Sequence, residues 1–103
     1  MTYNLDITRP ANRDLDQIVS YIALELKNPK AARRLYKLIR STYQSLQAHP
    51  EMFEYAKDRR IAAKGFRIAP VEHYVIAYKV DKTNKKVVIH DVFFGARAYQ
   101  DLL

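Results

Sequence analysis

The chain has 103 residues, of which 49% are hydrophobic, and it contains only 2 Gly and 4 Pro. A chain of this length has room for one core and shows no low-complexity bias, so we expect a single domain over residues 1–103. It contains no Cys, which excludes disulfides, thiolate chemistry and Cys-based zinc sites. The formal net charge of +7 favours nucleic acid or an acidic protein as a partner, and a solvated cationic surface is the alternative.

Secretion, membrane insertion and metal binding are not expected from the sequence. Residues 1–4 do not begin a basic segment followed by an apolar stretch, and no uncharged run reaches the ~18 residues that a membrane span needs. We therefore expect a cytoplasmic protein without membrane contact. His49, His73 and His90 lie far apart and lack ligand spacing, so we expect no metal and no cofactor.

The chain opens with a predicted strand and a predicted helix. Apolar and polar residues alternate from Tyr3 to Ile7, which predicts a half-buried strand over roughly residues 2–8. Thr8 as N-cap and Pro10 in the first turn then predict the start of a helix. Its apolar residues repeat at helical spacing: Ala11, Leu15, Ile18, Val19, Ile22 and Leu26.

A second helix follows after a short connection. Asn28 is a favoured N-cap, and Pro29 fits the first helical position because the donor it lacks would be unpaired there anyway. The helix runs to about His49, where Pro50 stops it. The short connection makes the two helices antiparallel neighbours, and their joint apolar face needs a surface to cover.

The remaining strands supply that surface. Residues 51–65 have no sustained period and are predicted to form a basic loop, with at most a short strand. A short strand over Phe66–Ala69, closed by Pro70, is followed by an alternating strand at residues 74–80. After a turn, the nearly continuous apolar run at residues 87–94 suits a central strand covered on both faces.

The predicted fold is a small α+β domain. Its order is a strand, a helix hairpin and an antiparallel meander (β-α-α-β-β-β), and residues 96–103 are predicted to add a short C-terminal helix.

Basic residues cluster on one side of the second helix. They could contact phosphates or an acidic partner, and a solvated outer face is the alternative. The candidate binding residues on this helix are Lys30, Arg33, Arg34 and Lys37.

A second basic group lies in the loop and the strand after it, close in sequence to Tyr55 and Phe66. Surfaces that bind RNA often combine guanidinium groups, which grip phosphate, with aromatic rings, which stack on unpaired bases. A structural role for these residues is equally favoured. The candidate binding residues here are Arg59, Arg60, Lys64 and Arg67.

Ribonuclease chemistry that uses the 2′-hydroxyl of RNA as nucleophile needs a base, an acid and cations. The candidate catalytic residues are His73, Arg67, Arg97 and Tyr99, and His90 is a further side chain that could carry a proton. Whether the two His share a sheet face depends on a strand register that the sequence does not give. A structural role is the alternative for each His.

The order of these motifs resembles the RelE/ParE superfamily of toxins from type II toxin–antitoxin systems, over essentially the whole chain. The matching residues are Tyr3, Leu5, Ile7 and Thr8; Ala11, Asp14, Leu15, Ile18, Tyr21 and Ile22; Asn28, Pro29, Ala31 and Ala32; Leu46 and Pro50; Phe66 and Arg67; His73, Tyr74, Val75, Ile76, Ala77, Tyr78 and Val80; Val88 and Ile89; and Phe94, Gly95, Arg97, Tyr99, Leu102 and Leu103.

The resemblance implies a small basic toxin that arrests growth, serves plasmid stabilisation and is neutralised by an acidic, partly disordered antitoxin. RelE-like members cut messenger RNA in the ribosomal A site, whereas ParE-like members poison DNA gyrase and lack the nuclease residues. The expected partners are therefore a cognate acidic antitoxin and either DNA gyrase or the ribosome with its mRNA. We expect the antitoxin to cover part of the sheet and the helix-hairpin groove by coupled folding.

Two departures from the nuclease pattern favour the ParE-like branch. The nuclease branch usually carries an Arg where this chain has Val75, and a second Lys or Arg where it has Ala69. Arg97 matches a basic residue of that branch, and Tyr99 stands near its terminal Tyr with different spacing. Gyrase inhibition is therefore favoured, RelE-like cleavage is the alternative, and a non-toxic interaction module is the second alternative. Enzymatic activity and homo-oligomer formation stay open.

Overall fold

The structure is a computed structural model that describes residues 2–95 and residue 103. Its elements confirm the predicted α+β order of a strand, a helix hairpin and an antiparallel meander. The C-terminal helix was predicted over residues 96–103, and residues 96–102 of it lie outside the described residues. The elements are β1 Asn4–Ile7, α1 Arg9–Ser20, a π-helical segment Tyr21–Glu25, α2 Pro29–Ala48, α3 Arg59–Ala63, β2 Arg67–Val71, β3 Tyr74–Asp81 and β4 Lys86–Phe94.

The four strands form one sheet in the order β1-β4-β3-β2. β4 therefore lies in the interior, parallel to β1 and antiparallel to β3, as its apolar run predicts. β2 lies at the edge and includes Pro70, which the sequence placed just after the strand. An edge position suits Pro because that strand has a side on which no ladder hydrogen bond is needed.

Both long helices begin at the predicted caps. The Ala11 N–H donates to Thr8 Oγ1 at 3.2 Å, and the Ala31 N–H donates to Asn28 Oδ1 at 3.1 Å. Each side chain satisfies a backbone donor that has no partner within its helix. No helix among residues 2–95 is long and apolar enough to cross a membrane.

The tip of the helix hairpin differs from the prediction. α1 ends at Ser20 and continues as the π-helical segment, where the Leu26 N–H donates to the Tyr21 carbonyl five residues back at 3.1 Å. Lys27 then adopts φ 51°, which ends the helix. Because the π-turn rotates the side chains away from the α-helical stripe, Leu26 is 57% exposed and does not join the apolar face predicted for it.

The predicted basic loop at residues 51–65 contains a short helix, α3, which the sequence analysis missed. Asp58 caps its start, because its Oδ1 accepts from the backbone N–H groups of Arg60 and Ile61. At its end Gly65 adopts φ 93°, and its N–H donates to the Ala62 carbonyl at 2.9 Å. Both signals were in the sequence, but five residues are too few to show a helical period.

The sheet has an apolar cluster on each face, which confirms that β4 is covered on both sides. The helix-side core lies beneath α1 and α2; the residues buried in it include Leu15, Leu35, Ile39, Tyr43, Leu46, Ile76, Tyr78, Val87, Ile89 and Val92. The smaller cluster on the opposite face lies beneath α3; its buried residues are Ala56, Ile61, Phe66, Val75, Ala77 and Phe93.

α1 also covers the edge of β4 that β1 leaves open. β1 ends at Ile7, opposite Ile89, and the Thr8 hydroxyl then donates to the His90 carbonyl at 2.9 Å. Farther along, the Val92 N–H donates to Asp14 Oδ2 at 3.1 Å. The start of α1 thus completes the hydrogen bonding of β4 where the parallel strand stops.

Candidate functional site

The outer side of α2 is a cationic surface. Lys30, Arg33 and Lys37 are exposed on it, and α2 contains no Asp or Glu from Pro29 to Ala48. None of these three cations forms an ion pair within residues 2–95. They are therefore free to attract an anionic partner.

Arg34, the fourth predicted cation of α2, is already paired. Its Nη1 and Nη2 donate to the two carboxylate oxygens of Glu72 at 2.8 and 3.0 Å. This hydrogen-bonded contact raises the pKa of Arg34 and lowers the pKa of Glu72. Arg34 thus ties α2 to the β2–β3 turn and adds less to the free positive charge of the helix.

The basic residues around α3 do not extend the α2 surface. Arg60 pairs with Asp58 at 3.3 Å, and the Lys64 ammonium donates to the carbonyl of Leu103. Arg59 is exposed. Because α3 and α2 cover opposite faces of the sheet, the two predicted groups of cations form separate surfaces.

Arg67 is held by the segment that precedes α3. Its Nη1 donates to the Phe53 carbonyl at 2.7 Å, and its Nη2 lies 3.8 Å from Glu51 Oε2. Its guanidinium carbon lies 4.0 Å from the centre of the Tyr55 ring. The side chain is only 10% exposed, so a stacked, bridging arginine occupies this predicted catalytic position.

The register of the sheet separates His73 from the other two candidate residues, Arg67 and His90. His73 is exposed in the β2–β3 turn, one residue before Tyr74, while Arg67 begins the far end of β2. His90 lies at a bulge in β4 beside Ala77, about 13 Å from His73 along the ladder at ~3.3 Å per residue. The described residues therefore do not bring Arg67, His73 and His90 to one phosphate.

A polar cleft of about 640 Å³ lies near the β3–β4 turn. Lys79 and His90 line it, and both contact Phe66: the Lys79 ammonium lies 4.5 Å from the ring centre, and the His90 ring meets it edge-on at 5.1 Å. Tyr55 and Arg67 also line the cleft. Lys79 was not among the predicted site residues, because only the strand register brings it near His90.

The surroundings of His90 in this cleft favour its neutral form over the charged form. Burial of the imidazole, followed by the nearby Lys79 ammonium, lowers the pKa of His90, against a smaller opposite effect of Asp6. Within the described residues neither Lys79 nor the His90 side chain has a hydrogen-bond or ion-pair partner. Both can therefore contact a ligand without breaking an existing polar contact.

A carboxyl pair joins α1 to β4. Asp91 hydrogen-bonds to Asp14, whose other described partner is the Val92 N–H. Burial first, and then the hydrogen bond and negative charge of Asp14, raise the pKa of Asp91 to about 6. Two close carboxylates are more stable when they share a proton.

An apolar groove of about 610 Å³ opens beside this pair, between the tip of the helix hairpin and the ends of β3 and β4. Tyr21, Leu26 and Phe94 line it and are 56%, 57% and 69% exposed, and Phe94 meets Tyr74 edge-on at 5.4 Å. Large apolar side chains that gather on a small surface in this way are typical of a binding site for another protein.

Two predicted catalytic residues, Arg97 and Tyr99, lie outside the described residues. Among residues 2–95 and 103, no three His, Asp or Glu side chains come together as metal ligands.

Three solved structures with the same fold are of toxins or toxin–antitoxin systems. A chromosomal ParDE system of P. aeruginosa matches with a TM-score of 0.71 and 22% identity over 91% of this chain and 97% of that chain. An E. coli RelE mutant in the free state matches with a TM-score of 0.67 and 14% identity over 97% of this chain and 90% of that chain. The RelBE2 complex of Mycobacterium tuberculosis matches with a TM-score of 0.65 and 20% identity over 91% and 99%. These similarities concern the fold.

The sequence itself carries the family assignment. No curated protein sequence matches the chain significantly. The family model for the ParE toxin of the type II toxin–antitoxin system parDE matches residues 5–99, which include nearly all of the strands and helices described above. The chain therefore belongs to the ParE toxin family of type II toxin–antitoxin systems, within the RelE/ParE superfamily.

Proposed function

We propose that the protein arrests growth by binding DNA gyrase without cleaving RNA. The observation that carries this proposal is the state of Arg67, the candidate catalytic arginine within the described residues. Its guanidinium is 10% exposed and is occupied by the Phe53 carbonyl and the Tyr55 ring. A guanidinium held in this way is poorly placed to stabilise negative charge on a reacting phosphate.

The surrounding positions support the same conclusion. The nuclease branch is expected to carry basic side chains at positions 69 and 75, where this chain has Ala69 and Val75, both buried. His73 lies at the opposite end of β2 from Arg67. Phosphoryl chemistry needs the acid, the base and the cations around one phosphate, and the length of β2 keeps His73 away from Arg67.

We place the contact with the target on the outer side of α2. Lys30, Arg33 and Lys37 are exposed and unpaired among the described residues, and no acidic residue of α2 reduces their field. A rigid helix with spaced cations suits an anionic surface on a large partner. Arg34 is left out of this contact because Glu72 holds it.

We further propose that an acidic antitoxin docks an amphipathic segment in the apolar groove. Tyr21, Leu26 and Phe94 offer it an apolar surface, and Lys27, an exposed cation, directly follows Leu26 at the hairpin tip. Cations beside an apolar groove complement a helix that has apolar residues on one side and carboxylates at its margins. The RelBE2 structure from M. tuberculosis is a toxin–antitoxin complex, which supports such a partner.

Induced expression in a bacterial host tests the choice of target. Growth, cleavage of messenger RNA and gyrase-linked DNA breaks are measured together for the wild type, a Lys30→Ala/Arg33→Ala/Lys37→Ala variant, and Arg97→Ala and Tyr99→Ala. We expect arrest with DNA breaks and intact message, and we expect the triple variant to relieve it. Codon-positioned cuts that Arg97→Ala and Tyr99→Ala abolish would instead establish RelE-like cleavage. A wild type that never arrests growth would leave an interaction module.

Co-purification with the product of the neighbouring open reading frame tests the antitoxin groove. Tyr21→Ser and Phe94→Ser should each weaken the complex about tenfold or more, because exposed aromatic anchors dominate such interfaces. Met52→Ser is the matched control, since Met52 is 50% exposed and does not line the groove. Equal losses in all three variants, or none in any, would contradict this docking site.

A further inference from the structure

The cleft near the β3–β4 turn combines two kinds of group that no part of the proposed toxin activity uses. One is an exposed aromatic ring: Tyr55 is 53% exposed, and the guanidinium of Arg67 lies 4.0 Å from its ring centre. The other is a pair of polar side chains, Lys79 and His90, without polar partners among the described residues. All four residues line one cavity of about 640 Å³.

The aromatic part of the cleft suits an unpaired nucleobase. Arg67 fixes the orientation of the Tyr55 ring from one side, and the exposure of the side chain leaves surface for a second flat group. Stacking of a base on an aromatic ring is tolerant of sequence and requires that the base be free of its pairing partner. The cleft therefore favours single strands over duplexes.

The polar part suits a phosphate. Lys79 is a cation with no acidic partner among residues 2–95, and its stem packs near Gly65, whose missing side chain leaves the approach open. The acidic groups nearby are already engaged: Asp81 accepts from Asn84, and Glu51 holds Lys82 at 2.8 Å. Asp6, on β1, is the remaining carboxylate that acts on His90.

We propose that this cleft binds single-stranded nucleic acid, with a base stacked on Tyr55 and a neighbouring phosphate contacted by Lys79 and His90. The strand is bound and not cut. Lys79 and His90 contact Phe66, which belongs to the cluster on the sheet face opposite α2, so the proposed phosphate contact is separate from the gyrase-binding surface. The cleft would let the toxin recognise a place where a target exposes unpaired bases.

Fluorescence anisotropy with the purified chain tests the base contact. The probes are a thymidine oligonucleotide of about twelve residues, an abasic strand of the same length, and the matching duplex. We expect the wild type to bind the thymidine strand about tenfold more tightly than the abasic strand, because stacking is lost without bases. Tyr55→Leu should remove that difference, and Tyr55→Phe should retain it because the ring is kept. A uridine strand shows whether RNA is bound equally.

The phosphate contact has its own pair of variants. Lys79→Gln should weaken binding of both single strands and reduce the salt dependence by about one phosphate contact. Arg13→Gln is the matched control, since Arg13 is an exposed cation of α1 that lies in neither proposed binding surface, and it should leave the preference for bases unchanged. Equal affinity of the wild type for thymidine and abasic strands would overturn the proposal. So would a loss of binding with Arg13→Gln and none with Lys79→Gln, or a preference for the duplex.

Discussion

Arg34 and Glu72 form a two-point contact between the N-terminal third of α2 and the turn that joins β2 to β3, with N–O distances of 2.8 and 3.0 Å. Glu72 has φ 54°, so the carboxylate that receives the guanidinium stands on a left-handed turn residue. The contact joins two elements that are 38 residues apart in sequence. It links α2 to the end of the sheet where β2 turns into β3, and it withdraws one cation from the surface of α2.

Removing the Arg34 contact should lower thermal stability slightly, in a salt-dependent way. Both side chains are largely in solvent, at 63% and 39% exposure, so ions screen the pair. We expect Arg34→Gln to lower Tm a little at low salt and to match the wild type at high salt, as measured by circular dichroism. Arg33→Gln, one residue earlier and unpaired among residues 2–95, is the control and should have no such effect. A salt-independent loss would point to packing instead.

The carboxyl pair predicts that Asp91→Asn stabilises the protein at neutral pH. Because the pKa of Asp91 is raised to about 6 in the folded state, the folded state holds its proton more tightly. The stability that the protonated Asp91 contributes to the fold is present at low pH and is lost as the pH rises from about 4 to about 6. The amide of the variant can still donate to Asp14 without charge. After allowance for solvent screening, we expect a gain of about 1 kcal/mol at pH ~7.5.

Urea unfolding of both proteins at about pH 4 and about pH 7.5 measures the effect of Asp91→Asn. The free energy of unfolding of Asp91→Asn should be close to that of the wild type at the lower pH and larger than it at the higher pH. Using the difference removes the contribution of other carboxylates, such as Glu51 and Asp58, whose pKa values are lowered by ion pairs. A difference that is constant with pH would show that Asp91 and Asp14 do not share a proton.

Two buried tyrosines should respond in opposite ways to loss of the hydroxyl. The Tyr78 hydroxyl donates to the Pro50 carbonyl at 2.9 Å, so Tyr78→Phe should cost about 1 kcal/mol. The Tyr43 hydroxyl is buried without a hydrogen-bond partner among the described residues, so Tyr43→Phe should leave stability unchanged or raise it. Burial raises the pKa of both hydroxyls to about 12. Chemical unfolding at neutral pH measures the stability of the two variants, and an equal loss of stability in both would contradict this prediction.

Arg67→Lys should destabilise the fold by about 1–2 kcal/mol, because an ammonium cannot both bond to the Phe53 carbonyl and stack on Tyr55. Arg60→Lys is the control, since Arg60 is exposed beside Asp58. Urea unfolding gives the comparison. If Arg67→Lys unfolded like the wild type but abolished growth arrest, Arg67 would act on the target and not on the fold.

The elements that the sequence predicted are those with local signals. Asn28 and Thr8 cap their helices through contacts within three residues, and the alternation from Tyr3 to Ile7 needs no partner to be visible. The extra residue of the bulge at His90 and the proximity of Asp14 to Asp91 depend on pairing across the sheet. No local pattern encodes such pairing, because register follows from how the whole sheet packs.

The candidate site divides in the same way. Exposed cations on α2 could be found from helical periodicity alone, since Lys30, Arg33 and Lys37 recur on one side. The contacts of the other cations could not be predicted in this way. Nothing in the sequence shows that Arg34 pairs with Glu72, or that Arg67 bonds to the Phe53 carbonyl and stacks on Tyr55. Long side chains choose partners from distant segments, so charge alone overestimates how many remain available.

The parallel pairing of β1 with β4 sets when this protein can fold during its synthesis. Asn4 pairs with Lys86 and Ile7 with Ile89, so the first strand cannot pair until β4, which is made much later, has been synthesised. Until then the helix hairpin has no complete sheet to cover, and contacts this distant in sequence close slowly. We therefore expect translation products that stop before Lys86 to be inert, so that the cell meets the folded toxin only after β4 has been made.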